Sequence, residues 1–331
     1  MFFTLTVLGK KSYTLPMIYE QALKPRRTLA QEVLYRAWCW FGLGALFLFS
    51  WMEPFSQMAL DAFVARGMSA WIADYVLLPL VMFIRGILLV EFFGYLYHRW
   101  FQHVSWMTRR AYLIRKSQRY HWIHHMIIYP IGTIYKRAQE YAAAEKGIAW
   151  TWSLPGLLLA GLFLFQHGIS IATVTFIAAV AWYAKCVISK CHKLFHVKGH
   201  KWAGSKYFKW LEDIHLLHHW DQRCNFTIVN PLMDKLFGTY LNPKEHQAEL
   251  NIAAIEDAFT VSDMINWRYL LLEANPEEYA AYISEAKEHK KSIKKLEELI
   301  CVLGEEHHKN PHDPEVKLLL KRAKKLESLL N

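Results

Sequence analysis

The chain has 331 residues, 53% apolar and 15% aromatic, with a formal net charge of +10. That apolar content is high for a soluble protein and puts a membrane first among the settings to weigh. The basic surplus lies entirely in residues 1–242, next to the apolar stretches, while residues 243–331 are net acidic, so nucleic acid is not the natural partner.

Cys39, Cys186, Cys191, Cys224 and Cys301 are scattered and form no CxxC pair, which reads as free thiols in a reducing compartment. Residues 1–32 carry Lys10, Lys11, Lys24, Arg26 and Arg27 but no apolar block ending in a small-residue cleavage site. The sequence therefore predicts a cytosolic N-terminal segment and no secretory signal peptide.

A bilayer core takes about 20 mostly apolar residues per helix. Four such stretches follow in two pairs, at about 33–51, 71–97, 148–166 and 169–188. The first is broken only by Arg36, and the second contains Asp74, Arg85 and Glu91. The last two are separated by little more than HGIS, which makes a helical hairpin. Arg85 is an ionisable group inside a span and by that fact a candidate for a substrate or lipid-headgroup contact.

Basic residues collect in cytoplasmic flanks. Residues 98–120 contain Arg99, Arg109, Arg110, Arg115, Lys116 and Arg119 with no acid, and the stretch after the fourth span adds Lys190, Lys193, Lys198, Lys201, Lys206 and Lys209. The 52–70 connection has Arg66 against Glu53 and Asp61. Both termini and both long inter-helix segments are therefore expected in the cytoplasm. Such a basic rim suits anionic lipid headgroups or an acidic redox partner.

Four histidine groups lie on that side: HRWFQH (His98, His103), HWIHH (His121, His124, His125), HKLFH (His192, His196) and HLLHH (His215, His218, His219). On a helix, positions i, i+3 and i+4 share a face, so HxxHH sets three imidazoles side by side and HxxxH sets two on one stripe. His98 and His103, five apart, diverge by about 140° on an ideal helix, which predicts a distorted helix end or a metal beside it.

A lone histidine near a membrane end is ordinarily an interfacial polar residue. Four groups together on one side argue for metal. Ten imidazoles exceed what one ion can hold, and two ions with about five each account for the number. Neutral imidazole suits zinc, iron, copper and nickel. A structural zinc usually recruits cysteine, so an all-histidine set with room for water points to a redox metal handling dioxygen. His167 falls on the opposite side of the bilayer, and His200 continues the HxxxH stripe only past Gly199. Glu91, Asp213, Asp221 and Asn225 are placed to orient ligating rings.

In residues 243–331, Asn275-Pro276-Glu277 and Asp313-Pro314-Glu315 each read as a helix start, and Gly304 reads as a stop. Ile283, Ile293, Leu296 and Ile300, then Val316, Leu320, Ala323 and Leu330, fit one face each. An antiparallel helical hairpin is expected there, packed on the cytoplasmic face or on a partner.

The runs EFFGYLYHRWFQH, YHWIHH, HKLFH and IHLLHHWDQRCNFTIVNPLMDKLFGTY resemble the fatty acid hydroxylase and sterol desaturase superfamily of integral membrane di-iron oxygenases over about residues 85–240. Thr227 stands where that family often has glycine. The resemblance implies an all-α integral membrane fold: four transmembrane helices in two hairpins, with a cytosolic helical cap holding a histidine-rich dimetal site. It implies a di-iron oxygenase domain at 33–242 and a cytosolic helical extension at 243–331. By motif, His98, His103, His121, His124, His125, His192, His196, His215, His218 and His219 are carried over as ligands of two iron ions, with zinc possible on purification.

The implied reaction uses dioxygen as cosubstrate and electrons from a separate protein to hydroxylate a C–H bond of a lipid drawn from the bilayer. Desaturation on the same site is the alternative outcome. The expected setting is a bacterial inner membrane or endoplasmic reticulum with the site on the cytoplasmic face. From another class, a metal transporter or sensor would place its ligands near the bilayer midplane on broken helices, and a metallohydrolase would carry HExxH, which this chain lacks.

Overall fold

The computed structural model describes residues 33–34, 37–38, 41, 53–103, 112–131, 134–139, 158, 161–162, 164–165, 168–247, 249–250, 261–273, 276–284 and 289–331. Every regular element among them is helical, and Lys136 pairs with Val197 in an isolated parallel bridge. The expected first and third spans, at about 33–51 and 148–166, fall largely outside the described residues.

After helix α1 (Glu53–Ala65), Gly67 turns the chain at φ +100° into α2, which runs from Ala70 to Gln102 and contains an 18-residue stretch with a mean hydropathy of 2.3. Helix α4 runs from Ile171 to Phe195 and contains an 18-residue stretch with a mean hydropathy of 1.8, its N-terminus capped by Ser170, which accepts from Thr173 N at 3.1 Å. Both are longer than the spans read from the sequence. At 1.5 Å per residue they reach about 50 and 37 Å, beyond a hydrocarbon core of about 30 Å. Both are therefore apolar enough and long enough to cross a membrane.

Their outward faces support that reading. Trp71, Ile72, Val76, Leu80, Ile84 and Leu88 on α2 are exposed, as are Ile171, Val174 and Trp182 on α4. A helix on a water-facing surface would carry polar side chains there. The inward faces meet closely at Gly86, where an added Cβ would lie 2.9 Å from Ala179 Cβ and 3.1 Å from Phe176 O. Small residues of this kind let transmembrane backbones approach. Met82, Leu89, Val90, Phe176 and Val180 fill the core around the contact.

Three helices stand at the histidine end: α3 (Tyr112–Ile123), α5 (Lys206–Trp220) and the short α6 (Leu232–Leu236). Ser205 caps α5 by accepting from Phe208 N. Phe237, just after α6, stacks on Tyr95 at 5.1 Å and meets Phe92 at 6.0 Å, which fixes this end to α2.

The extension forms α7 (Val261–Glu273), α8 (Pro276–Ser284), α9 (His289–Lys309) and α10 (Pro314–Leu330). Asp313 caps α10 as the sequence predicted, accepting from Glu315 N at 2.9 Å and Val316 N at 3.2 Å. Asn275 lies outside the described residues.

Gly304 does not stop α9, which continues to Lys309. Glycine inside a helix costs about 1 kcal/mol, and Leu299 and Leu303 on the same helix are fully buried against Leu319 and Leu326 of α10, which offsets it. The buried stripes run through Leu296, Leu299 and Leu303, and through Val316, Leu319, Ala323 and Leu326. Ile293, Ile300, Leu320 and Leu330, expected on that face, lie half-buried at its margin.

The extension is not an appended unit. Trp267, Leu270, Tyr279 and Ile283 share one apolar cluster with Trp122, Met126 and Ile127 of the second histidine group.

Candidate metal centre

The ten histidines read from the sequence meet in one place, and none is more than 3% exposed. Their ring nitrogens form three overlapping sets, each with every ligand atom within 4.8 Å of the others: His98, His103, His121, His125 and His218; His124, His192, His196 and His215; and His124, His125 and His219. The first is one nest of five. The second is a nest of four beside it. His219 sits between them, its ring 4.0 Å from that of His125 and 4.8 Å from that of His215.

Helix irregularity makes the first nest. His98 and His103 would diverge on an α-helix, but α2 ends in a π-helical turn over Tyr97–Gln102. A π turn closes i to i+5, the separation of these two residues. Their rings come to 4.9 Å. Further π turns follow at His124–Ile128 and precede His192 at Tyr183–Ile188.

Backbone carbonyls set the tautomers. A carbonyl oxygen only accepts, so a ring nitrogen bonded to one carries the proton and leaves the other nitrogen with its lone pair. His98 Nδ1 donates to Phe226 O at 2.5 Å, His218 Nδ1 to Cys224 O at 2.6 Å, His196 Nδ1 to Ile134 O at 3.0 Å and His219 Nδ1 to Tyr129 O at 3.0 Å. Each of these rings presents an unprotonated Nε2. Burial pushes His121, His124, His125, His196, His215 and His219 well below the usual imidazole range, and His218 to about 4. The rings are neutral, as ligation requires.

Hydrogen bonding cannot account for the centre of the nests. His121 Nε2 lies 2.9 Å from His98 Nε2, 2.8 Å from His103 Nε2 and 3.0 Å from His125 Nε2. His215 Nε2 lies 2.9 Å from His196 Nε2 and 3.2 Å from His219 Nε2. One nitrogen holds at most one proton and serves one such contact. His218 Nε2 is buried with no hydrogen-bond partner among the described residues. A cation resolves all three observations: two nitrogens each about 2.1 Å from one ion, at right angles, are about 3.0 Å apart. The residues fit metal ions.

The support around the ligands comes partly from predicted residues and partly from others. Asn225, at φ +50°, donates through Nδ2 to Ile214 O at 3.1 Å and Leu241 O at 3.2 Å and accepts from Leu241 N at 2.8 Å. It ties the 224–226 loop, whose carbonyls hold His218 and His98, to α5. Buried Asp221 accepts from Arg223 Nε at 2.9 Å and from Arg223 N at 3.0 Å, closing the turn after α5. Asp213 instead pairs with Lys209 at 2.9 Å on the outer side of α5, and Glu91 accepts from the Tyr183 hydroxyl between α2 and α4. Asp213, two residues from His215, lies on the other side of α5, while Glu91 is engaged by Tyr183. Arg85 is buried and donates to Met82 Sδ at 3.5 Å. His200 falls outside both nests, its Nδ1 accepting from Trp202 N.

Asp234 was not read from the sequence. Fully buried, it accepts from Phe226 N at 2.9 Å, Thr227 N at 2.8 Å, the Thr227 hydroxyl and Thr239 Oγ1 at 2.7 Å. Burial raises its pKa and those hydrogen bonds pull it back. Its position in MDKLFGTY was the available signal. Thr227, the departure from glycine, supplies two of these hydrogen bonds, and the one from its hydroxyl is the one a glycine would lack.

Asn266 on α7 was also missed. Its Nδ2 donates to His219 O at 2.9 Å, and its Oδ1 accepts from Gln222 N at 3.4 Å. It brings the extension to the end of the HLLHH helix.

Among the described residues, these features define a helical architecture with two membrane-length apolar helices ending at a buried polyhistidine centre. Residues 82–239 match the family model described as fatty acid hydroxylase, a family within the fatty acid hydroxylase and sterol desaturase superfamily. That family is membrane-associated and typically metal-dependent, and the match points to an oxidoreductase of the lipid hydroxylase or desaturase type. No curated protein and no solved structure matches the chain.

Proposed function

We propose that the chain is a multi-pass membrane di-iron oxygenase that hydroxylates a C–H bond of a lipid. The observation that carries this reading is the pair of adjoining nests of neutral imidazoles at the ends of α2 and α4. His98, His103, His121, His125 and His218 would hold one ion, and His124, His192, His196 and His215 with His219 the other. Iron bound there would supply activation of dioxygen and oxidation of an unactivated C–H bond. One oxygen atom enters the lipid and the other leaves as water, with two electrons and two protons consumed.

The chain's own residues prepare the site. The carbonyls of Phe226, Cys224, Ile134 and Tyr129 hold four rings with Nε2 inward. Burial keeps bulk water from the imidazoles, and the exposed apolar faces of α2 and α4 put the site within reach of acyl chains. The basic flanks favour a cytoplasmic face and a separate, acidic electron donor.

Two measurements test the reading. Metal analysis of the purified chain is expected to find two ions, fewer in His218→Ala and His124→Ala; full content in both variants would sink the ligand assignment. In a host expressing the chain under 18O2, a lipid heavier by one labelled oxygen is expected, and is lost with either variant. A metal-loaded chain that leaves the lipids unlabelled and unchanged favours transport or sensing, and a lipid two hydrogens lighter identifies a desaturase.

A further inference from the structure

Beyond the site, the surface where the cap meets the spans has its own chemistry. Helix α6 buries Met233 and Asp234 and is followed by Phe237, packed on Phe92 and Tyr95 of α2, yet Leu236 is 58% and Leu232 40% exposed on its other side. Tyr207 is 59% exposed with its hydroxyl bonded to Val229 O at 3.1 Å, which places it beside the segment leading into α6. Every residue from Lys201 through Tyr207, at the start of α5, is exposed, including Trp202, over whose ring Lys201 Nζ sits at 5.9 Å. Lys206 and Lys235 are exposed on the same elements.

We infer that this apron, made of Trp202, Tyr207, Leu232 and Leu236 with Lys201, Lys206 and Lys235, lies in the headgroup region of the membrane and binds anionic lipid. Exposed leucines on a helix whose other side packs against a transmembrane span are continuous with the lipid-facing surface of that span. Tryptophan and tyrosine are the residues of the membrane–water interface, and lysine beside them meets anionic headgroups. A water-soluble partner would find the leucines at the foot of a span, where the bilayer itself stands.

The inference rests on the reading of α2 and α4 as spans but not on the metal. The full chain is reconstituted in nanodiscs of mixed phosphatidylglycerol and phosphatidylcholine, with a photo-crosslinking residue in place of Leu236 or, as a control, of exposed Leu318 on α10. Lipid adducts are expected at position 236 and not at 318, enriched in phosphatidylglycerol over its share of the disc. Lys201→Glu, Lys206→Glu and Lys235→Glu each lower that enrichment, by up to about fivefold per lysine. Crosslinks at 236 to protein alone, equal adducts at 236 and 318, or an enrichment unmoved by all three charge reversals would each overturn the inference. A crosslinker at exposed Leu80 or Ile84 on α2 reports separately on the spans: lipid adducts there without adducts at 236 leave the spans standing and remove the apron.

Discussion

At the scale of single residues, the site is a problem of proton placement. His218 is fully buried with its pKa pushed down to about 4, against about 6.5 for an unfolded histidine. Between those values the unfolded chain binds a proton that the folded chain refuses, so stability rises with pH across this window and falls on acidification from 6.5 toward 4. For His218 alone the full loss is about 3 kcal/mol, and the other buried rings add in the same direction. Thermal unfolding of the metal-free chain in detergent is expected to drop steeply over this interval; a flat profile would contradict the neutral, buried imidazoles. Asp234 makes a second case. Asp234→Ala leaves Phe226 N and Thr227 N buried without an acceptor, at roughly 1–3 kcal/mol each, and frees the carbonyl that orients His98. Metal analysis is expected to find the five-histidine nest depleted, while Thr227→Gly, which removes one hydroxyl contact, keeps most of the metal.

At the scale of elements, the periodic signals were legible and the departures from period were not. The i, i+3, i+4 spacing of HLLHH groups its three imidazoles on regular helix, whereas in HWIHH His121 lies in the last turn of the α-helical stretch and His124 and His125 open a π turn that still keeps the three rings together. Leu216 and Leu217, off that stripe, are buried in apolar packing with Tyr129 and Trp220. The π turn that joins His98 to His103 has no sequence signature of its own, so only the misfit of a five-residue spacing announced it. Asp234 and Asn266 were hidden for a different reason: each acts on residues distant in sequence or through main-chain atoms, which carry no composition. Gly86 gives the element-scale prediction. Gly86→Leu places a side chain where Ala179 Cβ and the Phe176 carbonyl already stand. Overpacking of this kind costs about 1–3 kcal/mol, so the variant is expected to unfold at lower temperature in detergent while Leu88→Ala, on the exposed face of the same helix, changes little.

For the whole molecule, the family match ends at residue 239, but the core does not. Trp122 and Met126, either side of His124 and His125, pack against Trp267, Leu270 and Tyr279 of the extension, and Asn266 holds the His219 carbonyl. A chain ended at residue 242 keeps all ten histidines and is expected to retain little metal, since the wall behind two of its groups is gone. Asn266→Leu in the full chain is the milder version, leaving one buried carbonyl and one amide short of a partner at about 1–3 kcal/mol each. Truncated protein with full metal content would make the extension dispensable to the site.

The wall behind Trp122 and Met126 also has an order in time. Synthesis proceeds from the N-terminus at roughly 5–20 residues per second, and Trp267, Leu296 and Leu303 follow the last histidine in the chain's described core by dozens of residues. For some seconds after His219 leaves the ribosome, all ten clustered imidazoles exist and the helices that seal them do not. An ion arriving during translation would meet those imidazoles open to water, and one arriving later would meet them buried.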